Sequence, residues 1–286
     1  MSHVVVLTAS PTIGLEDETI FEACQALEGV GAPRRLSASA AEIPVETFQQ
    51  IEPVGLPVDA NCVPLEGRRK KLLIADMDST MIPVECIDEV ADFAGVREQV
   101  VAITEPAMRG EISFEDALLA RVALLKGLAA ERLQDVYEAR VNLNPGARTL
   151  VRTMTENGAY TALVSGGFTF FTERVAAAAG FHHNRANVLL FEDGKLNGKV
   201  TEPVLGRAAK IEALNELATA QGILLAEALA VGDGANDLGM IETAGLGVAF
   251  RAKPVVADAA DCAIEYGDLT ALLYLQGYSE ADFVLD

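Results

Sequence analysis

The stretch Leu72-Leu73-Ile74-Ala75-Asp76-Met77-Asp78-Ser79-Thr80 joins a short apolar run to two carboxylates placed two residues apart. An apolar run of this length without polar alternation is what a strand buried on both faces requires, and a parallel sheet supplies that burial. Three further runs share the character: Thr161-Ala162-Leu163-Val164, Ala228-Leu229-Ala230-Val231 and Leu246-Gly247-Val248-Ala249. Helical patterns separate them at Gly146 to Asn157, Thr172 to Ala179, Ala208 to Ala220 and Leu238 to Ala244. The alternation predicts an α/β fold, a doubly wound parallel (Rossmann-like) sheet with helices on both faces. Ligands bind such sheets at the carboxyl ends of the strands, so the residues that follow each strand carry the functional reading.

Working outward, the segment from Met81 to Asn144 reads as helical at Ile87 to Phe93, Glu98 to Met108, Phe114 to Leu125 and Glu131 to Val141. A helical block inserted just past a strand's carboxyl end is placed to cap a site there. Val188 to Phe191 followed by Glu192-Asp193-Gly194 predicts a small hairpin within Asn187 to Lys199. Residues 1–66 read as a separate small α+β unit, with a strand at His3 to Leu7, a helix at Glu16 to Glu28 and a second strand at Arg34 to Ser39. The stretch Ile51 to Arg69, punctuated by Pro53, Pro57 and Pro64, reads as a linker. The expected organisation is therefore an N-terminal unit at 1–66, a core at 67–80 and 145–286, and a cap at 81–144.

Composition narrows the function classes. The 286 residues are half hydrophobic, and 22 basic against 42 acidic residues give a net charge of −20. A globally acidic surface argues against nucleic acid and anionic membranes as partners, since both need clustered Lys and Arg. No uncharged apolar run approaches the roughly 18 residues of a spanning helix. The first ten residues carry no basic region ahead of an apolar stretch, and read as a strand rather than a signal peptide. Cys24, Cys62, Cys86 and Cys262 are scattered without a CxxC pair, which predicts reduced thiols, a cytoplasmic setting and no zinc site.

Two carboxylates at the end of a buried strand are costly unless a cation or a task compensates. Asp76 and Asp78 fit a nucleophile beside a group that handles protons, although a polar turn with Asp as a helix cap uses the same letters. The third strand ends in Gly232-Asp233-Gly234-Ala235-Asn236-Asp237, which brings further carboxylates to the same sheet edge. Clustered acids with all-oxygen donors favour Mg²⁺. The second strand ends in Ser165-Gly166-Gly167-Phe168 ahead of a helix, where a hydroxyl and glycine amides can hold an anion. Lys210, on the helix before the third strand, reads as a solvated lysine on its own.

Taken in order, Asp76-Met77-Asp78-Ser79-Thr80, Ser165-Gly166-Gly167-Phe168, Lys210 and Gly232 to Asp237 resemble the four motifs of the haloacid dehalogenase-type phosphohydrolases. The cap stretch Glu85 to Glu89, then Met108-Arg109-Gly110, Phe114 and Arg121 to Lys126, is similar to that of the phosphoserine phosphatase branch. The resemblance runs from about Lys70 to Leu273. It implies Mg²⁺-dependent hydrolysis of O-phosphoserine, the last step of serine biosynthesis, through a phosphoenzyme on Asp76. Asp78 is then the proton donor and acceptor. Asp76, the Asp78 carbonyl and Asp233 are the metal ligands, with Asp237 behind them. Ser165, Gly166 and Lys210 hold the phosphoryl group, and Asn236 orients the substrate. Glu85 meets the substrate ammonium, Arg121 its carboxylate, and Met108 and Phe114 form the apolar lid. Some relatives carry ACT-type amino-acid-binding domains where residues 1–66 stand, and this segment resembles a shortened one. It is the expected route to a homodimer.

Rival chemistries fit less well. Cys62 to Arg68 satisfies the C-x5-R pattern of cysteine phosphatases, but Pro64 lacks an N–H and Glu66 would repel phosphate. His3, His182 and His183 have no R-H-G setting, and no P-loop occurs. Phosphotransfer to another alcohol, or an amino-acid sensor without catalysis, remain the alternatives.

Overall fold

The computed structural model describes residues 2–27, 29–49, 57–108 and 111–285, without the Met108 side chain. The N-terminal unit holds β1 (His3–Ala9), α1 (Asp17–Ala26), β2 (Arg34–Arg35), β3 (Ala40–Val45) and β4 (Val58–Pro64). Its sheet is antiparallel, in the order β2-β3-β1-β4. The second strand expected at Arg34 to Ser39 is thus only two residues long there, and the main strand follows at Ala40. Glu42 and Pro44 mask β3 in the sequence. Pro44 is tolerated because β2 covers only Glu42 and Ala41, leaving Pro44 with a strand neighbour on one side. The linker reading of Ile51 to Arg69 also needs correction. Residues 51–56 lie outside the described residues, while Val58–Pro64 pairs along the whole of β1. Its prolines sit where a strand tolerates them, Pro57 just before it and Pro64 as its last residue.

The core and cap follow as β5 (Leu72–Ala75), α2 (Cys86–Phe93), α3 (Arg97–Met108), α4 (Phe114–Leu124), α5 (Glu131–Arg140), α6 (Ala147–Glu156), β6 (Tyr160–Phe168), α7 (Thr169–Ala179) and β7 (His183–Asn187). Then come β8 (Leu189–Glu192), β9 (Lys195–Val200), α8 (Arg207–Gln221), β10 (Ala228–Gly232), α9 (Leu238–Thr243), β11 (Leu246–Phe250), α10 (Pro254–Ala257), β12 (Cys262–Ile264) and α11 (Ala271–Leu275). The large sheet runs β12-β11-β10-β5-β6-β7, parallel throughout. Alternate residues of its strands serve opposite layers. Leu73, Ala75, Leu163, Leu229 and Val231 cluster with α6, α7 and α11, whereas Leu72, Ile74, Ala162, Val164, Ala228 and Ala230 cluster with α8 and α9. The chain winds outward from β5 through β6 to β7, and from β10 through β11 to β12. The switch point therefore lies between β5 and β10, and a crevice opens beyond their carboxyl ends.

Helices α2 to α5 form the block between β5 and α6. The expected hairpin is β8–β9, and it straps onto this block: Gly127 N donates to Leu196 O and Ala130 N to Gly194 O.

The N-terminal sheet is not a detached unit. Val5, Leu7, Ile43 and Val45 pack on α1, while Val4, Val6, Leu36 and Ala40 join the core cluster that includes α11. Asp59 on β4 is buried and accepts backbone N–H groups from Glu265 (2.8 Å), Tyr266 (3.1 Å) and Gly267 (2.8 Å). Asp59→Ala would leave these donors without a partner and should cost about 3 kcal/mol. A denaturant midpoint matching that of Asp59→Asn, which keeps an acceptor, would contradict this.

Candidate active site

β5 delivers Asp76 to the switch point, where its N–H donates to Val231 O of β10 at 3.0 Å and extends the ladder past the last strand residue. The backbone then turns sharply. Asp78 is extended (φ −67°, ψ 136°) and Ser79 is left-handed at φ 56°. This separates the two carboxylates. Asp78 accepts the N–H of Cys86, the first residue of α2, through Oδ1 at 2.8 Å, and the Ser165 hydroxyl through Oδ2 at 3.2 Å. Ser165 Oγ in turn accepts the Gly167 N–H at 2.8 Å.

At the end of β10, Gly232 is required by close approach: a Cβ there would lie 2.4 Å from Cγ of Asp237. Asp237 accepts the Gly234 N–H at 3.1 Å and Lys210 Nζ at 2.5 Å. Lys210, 2% exposed, also donates to Asp76 Oδ1. Asp76, Asp233 and Asp237 each offer an oxygen, all within 4.8 Å of one another, a hard-oxygen set that suits one divalent cation. Asp237, expected behind the ligands, thus stands level with Asp76 and Asp233, and Lys210 bridges two of the three carboxylates. Asn236 is half-buried, with Oδ1 against Gly234.

The electrostatics follow from burial. Desolvation, reinforced by Asp237 and opposed by Lys210, pushes the Asp76 carboxyl well above the usual range. Desolvation and then Glu85 raise Asp78 to about 7, against the Cys86 and Ser165 hydrogen bonds. Desolvation and Asp237 raise Asp233 to about 6. Burial pulls the Lys210 ammonium down, but Asp237 and Asp76 outweigh it and the pKa rises overall.

The cap brings its own groups. Glu85, exposed just before α2, accepts the Ser79 hydroxyl at 2.7 Å. Arg121 on α4 donates through Nε to Ala117 O at 3.2 Å and through Nη1 to Thr104 Oγ1 at 3.5 Å. Burial lowers its pKa, while Asp88, Glu85 and Asp78 nearby act the other way. Among the described residues, Arg121 has no carboxylate in ion-pair contact. Phe114, the first residue of α4, lies against Gly166, where a Cβ would be 2.7 Å from its Cζ. The Met108 side chain and Arg109-Gly110 lie outside the described residues.

Asn144 and Asn187 escaped the sequence reading, and Thr80 entered it only as part of the Asp76 motif, without a role. Thr80 donates to Asp233 Oδ1 at 3.3 Å. Asn144, where the cap rejoins the core, is buried and donates to Thr80 O at 2.7 Å. Asn187, at the end of β7, donates to Gly166 O at 2.9 Å and accepts the Leu205 N–H at 2.7 Å. Only Asn144 carried a signal, the Asn-Pro-Gly turn at the cap's return.

Residues 73–242 match the haloacid dehalogenase-like hydrolases, and the chain belongs to that family. Within it, the chain is 44% identical over 241 residues to a phosphoserine phosphatase of Streptomyces coelicolor, covering 84% of this chain and 58% of that relative. The chain therefore spans little more than half the length of that curated relative. A phosphoserine phosphatase solved as a phospho-aspartyl intermediate analogue is 41% identical, with a TM-score of 0.67 over 72% of this chain and 98% of that one. A family hydrolase from Salmonella enterica serovar Typhi is 30% identical, with a TM-score of 0.85 over 96% of this chain and 98% of that one.

Proposed function

We propose that this chain hydrolyses O-phosphoserine to serine and phosphate through an aspartyl-phosphate on Asp76. The observation that carries the reading is the divergence of two carboxylates at one strand end. Asp76 turns to Lys210 and the acidic cluster, whereas Asp78 turns to Ser165 and is raised to about 7. Pairs of acids with environments this different divide nucleophilic from proton-transfer work. Asp76 attacks phosphorus while the phosphorus–oxygen bond to serine breaks and Asp78 gives its proton to the departing oxygen. Asp78 then takes a proton from the water that attacks the aspartyl-phosphate, which releases phosphate and restores the Asp76 carboxylate and the protonated Asp78. Ser165, the Gly166 N–H and Lys210 hold the phosphoryl oxygens.

Asp76, Asp233, Asp237 and the Asp78 carbonyl would hold Mg²⁺, which when bound supplies the positive charge that offsets repulsion between the nucleophile and the phosphate. Its removal has a readout besides activity. Asp78 and Asp233 titrate near 7 and 6 rather than 3.8, so the folded state holds protons that the unfolded chain releases. That stabilising contribution is full below about pH 4 and is lost as pH rises through about 6 to 7. The melting temperature of chelated protein should therefore fall over that window, and Mg²⁺ should flatten the fall. Parallel profiles with EDTA and with Mg²⁺ would count against the metal centre.

Substrate choice rests on Arg121, a half-buried fork suited to a carboxylate. Arg121→Ala should lower kcat/KM for phosphoserine by about 2–5 kcal/mol while sparing phosphoethanolamine, which lacks the carboxylate. Equal losses on both would remove the phosphoserine assignment. Phosphate release from a panel of phosphomonoesters, with serine identified as product, separates hydrolysis from transfer to another alcohol. A cytoplasmic place in serine biosynthesis belongs to the same reading, as does a homodimer through the N-terminal unit. No described helix is long and apolar enough to cross a membrane.

A further inference from the structure

Two core glycines meet a single turn of the cap. A Cβ built on Gly166 would lie 2.7 Å from Cζ of Phe114, and one built on Gly206 would lie 2.2 Å from Oε1 of Glu115 and 3.4 Å from Cδ1 of Phe114. Neither glycine is needed for its backbone freedom. Gly206 sits at φ −108° and ψ −154°, extended backbone open to other residues, and Gly166 lies within β6. At Gly166 a side chain would meet the Phe114 ring, whereas at Gly206 it would meet the end of the exposed Glu115 side chain and displace it.

Gly206 immediately precedes α8, the helix that carries Lys210 one turn further on. The first peptide N–H groups of a helix have no partner within it, and its dipole favours negative charge at that end. The Glu115 carboxylate, which has no hydrogen bond or ion pair among the described residues, lies beside that end. Glu115 and Arg121 share helix α4.

The geometry points to Glu115 and Gly206 as positioning residues for the closed cap. The Glu115 carboxylate rests on the bare Cα of Gly206 at the head of α8. This holds the first turn of α4 down and sets Arg121 over the crevice. Neither residue touches the reacting atoms. The inference rests on the phosphoserine reading only for what Arg121 binds.

Glu115→Ala removes the contact from the cap side. Gly206→Ala removes it from the core side, because its methyl displaces the flexible carboxylate. Each single variant should raise KM for phosphoserine about two- to fivefold, the range of a charge at a helix end, with kcat little changed. Turnover of phenyl phosphate, which has neither ammonium nor carboxylate, should be unchanged. The double variant should be no worse than either single one, because both remove the same contact. Hydrogen exchange of the α4 amides, measured without substrate, should quicken by a similar factor in all three. Additive losses, equal losses on both substrates or unchanged α4 exchange would overturn the assignment. Faster α4 exchange in a protein that does not hydrolyse phosphoserine would instead uphold the contact and overturn the substrate reading.

Discussion

Asp76→Asn is expected to yield a folded protein that releases no phosphate. The amide keeps the size and most of the hydrogen-bonding capacity of the carboxylate, but it cannot serve as the oxygen nucleophile that accepts phosphorus. Losing a nucleophile from a covalent mechanism costs on the order of 10⁴-fold or more in turnover. Stability should not fall with activity. Asp76 is a buried acid pushed upward by desolvation and by Asp237, so a neutral group removes a strained charge, and Lys210 keeps Asp237 as its partner. Phosphate release assayed beside a thermal melt checks both halves. Normal turnover from a correctly folded Asp76→Asn protein would end the covalent mechanism.

Lys210→Met should damage stability and activity together. Methionine fills a similar volume, but the lysine is 2% exposed and its ammonium faces both Asp76 and Asp237. Removing one partner of a buried ionic contact leaves uncompensated charge, at a cost of about 3–5 kcal/mol. Here three carboxylates would remain within 4.8 Å of one another. Denaturant melts should show the loss in EDTA and a partial recovery in Mg²⁺, since a divalent cation replaces some of the missing charge. Turnover should stay about 10²–10³-fold down even with Mg²⁺, because no cationic donor faces the phosphoryl oxygens. Lys210→Arg should not rescue it, since a planar guanidinium does not fit a cavity shaped for a compact ammonium. A Lys210→Met protein as stable as the parent in EDTA would mean that the bridge contributes nothing.

The central strands were legible in the sequence because burial on both faces leaves uninterrupted apolar runs, as in Leu72–Ala75 and Ala228–Gly232. Among the cap helices, α2 shows its buried Cys86, Ile87, Val90 and Ala91 at helical spacing. In the large sheet, the strands that escaped are its two edges. His183–Asn187 is largely polar and Cys262–Ile264 is only three residues long, and an edge strand is covered on one side only. β4 escaped for a different reason: prolines at its margins imitate a linker, and only its pairing with the distant β1 makes it a strand.

For the site, the sequence alone determined which residues stand at the strand ends, and therefore that Asp76, Asp78, Ser165 and Asp233 reach one crevice. Periodicity and turn chemistry are local and mark the strand ends, whereas the order in which the strands pair is set by tertiary contacts. Tertiary structure alone decided how those side chains are partnered. It turned Asp78 away from Asp76 onto Cys86 and Ser165, drew Asp237 level with Asp76 through Lys210, and brought Asn144 and Asn187 beneath the catalytic loops. It also seated Phe114 on Gly166 and Glu115 on Gly206. These contacts join elements distant in sequence, and their distances depend on how helices pack on the sheet. No local pattern of residue types encodes that packing.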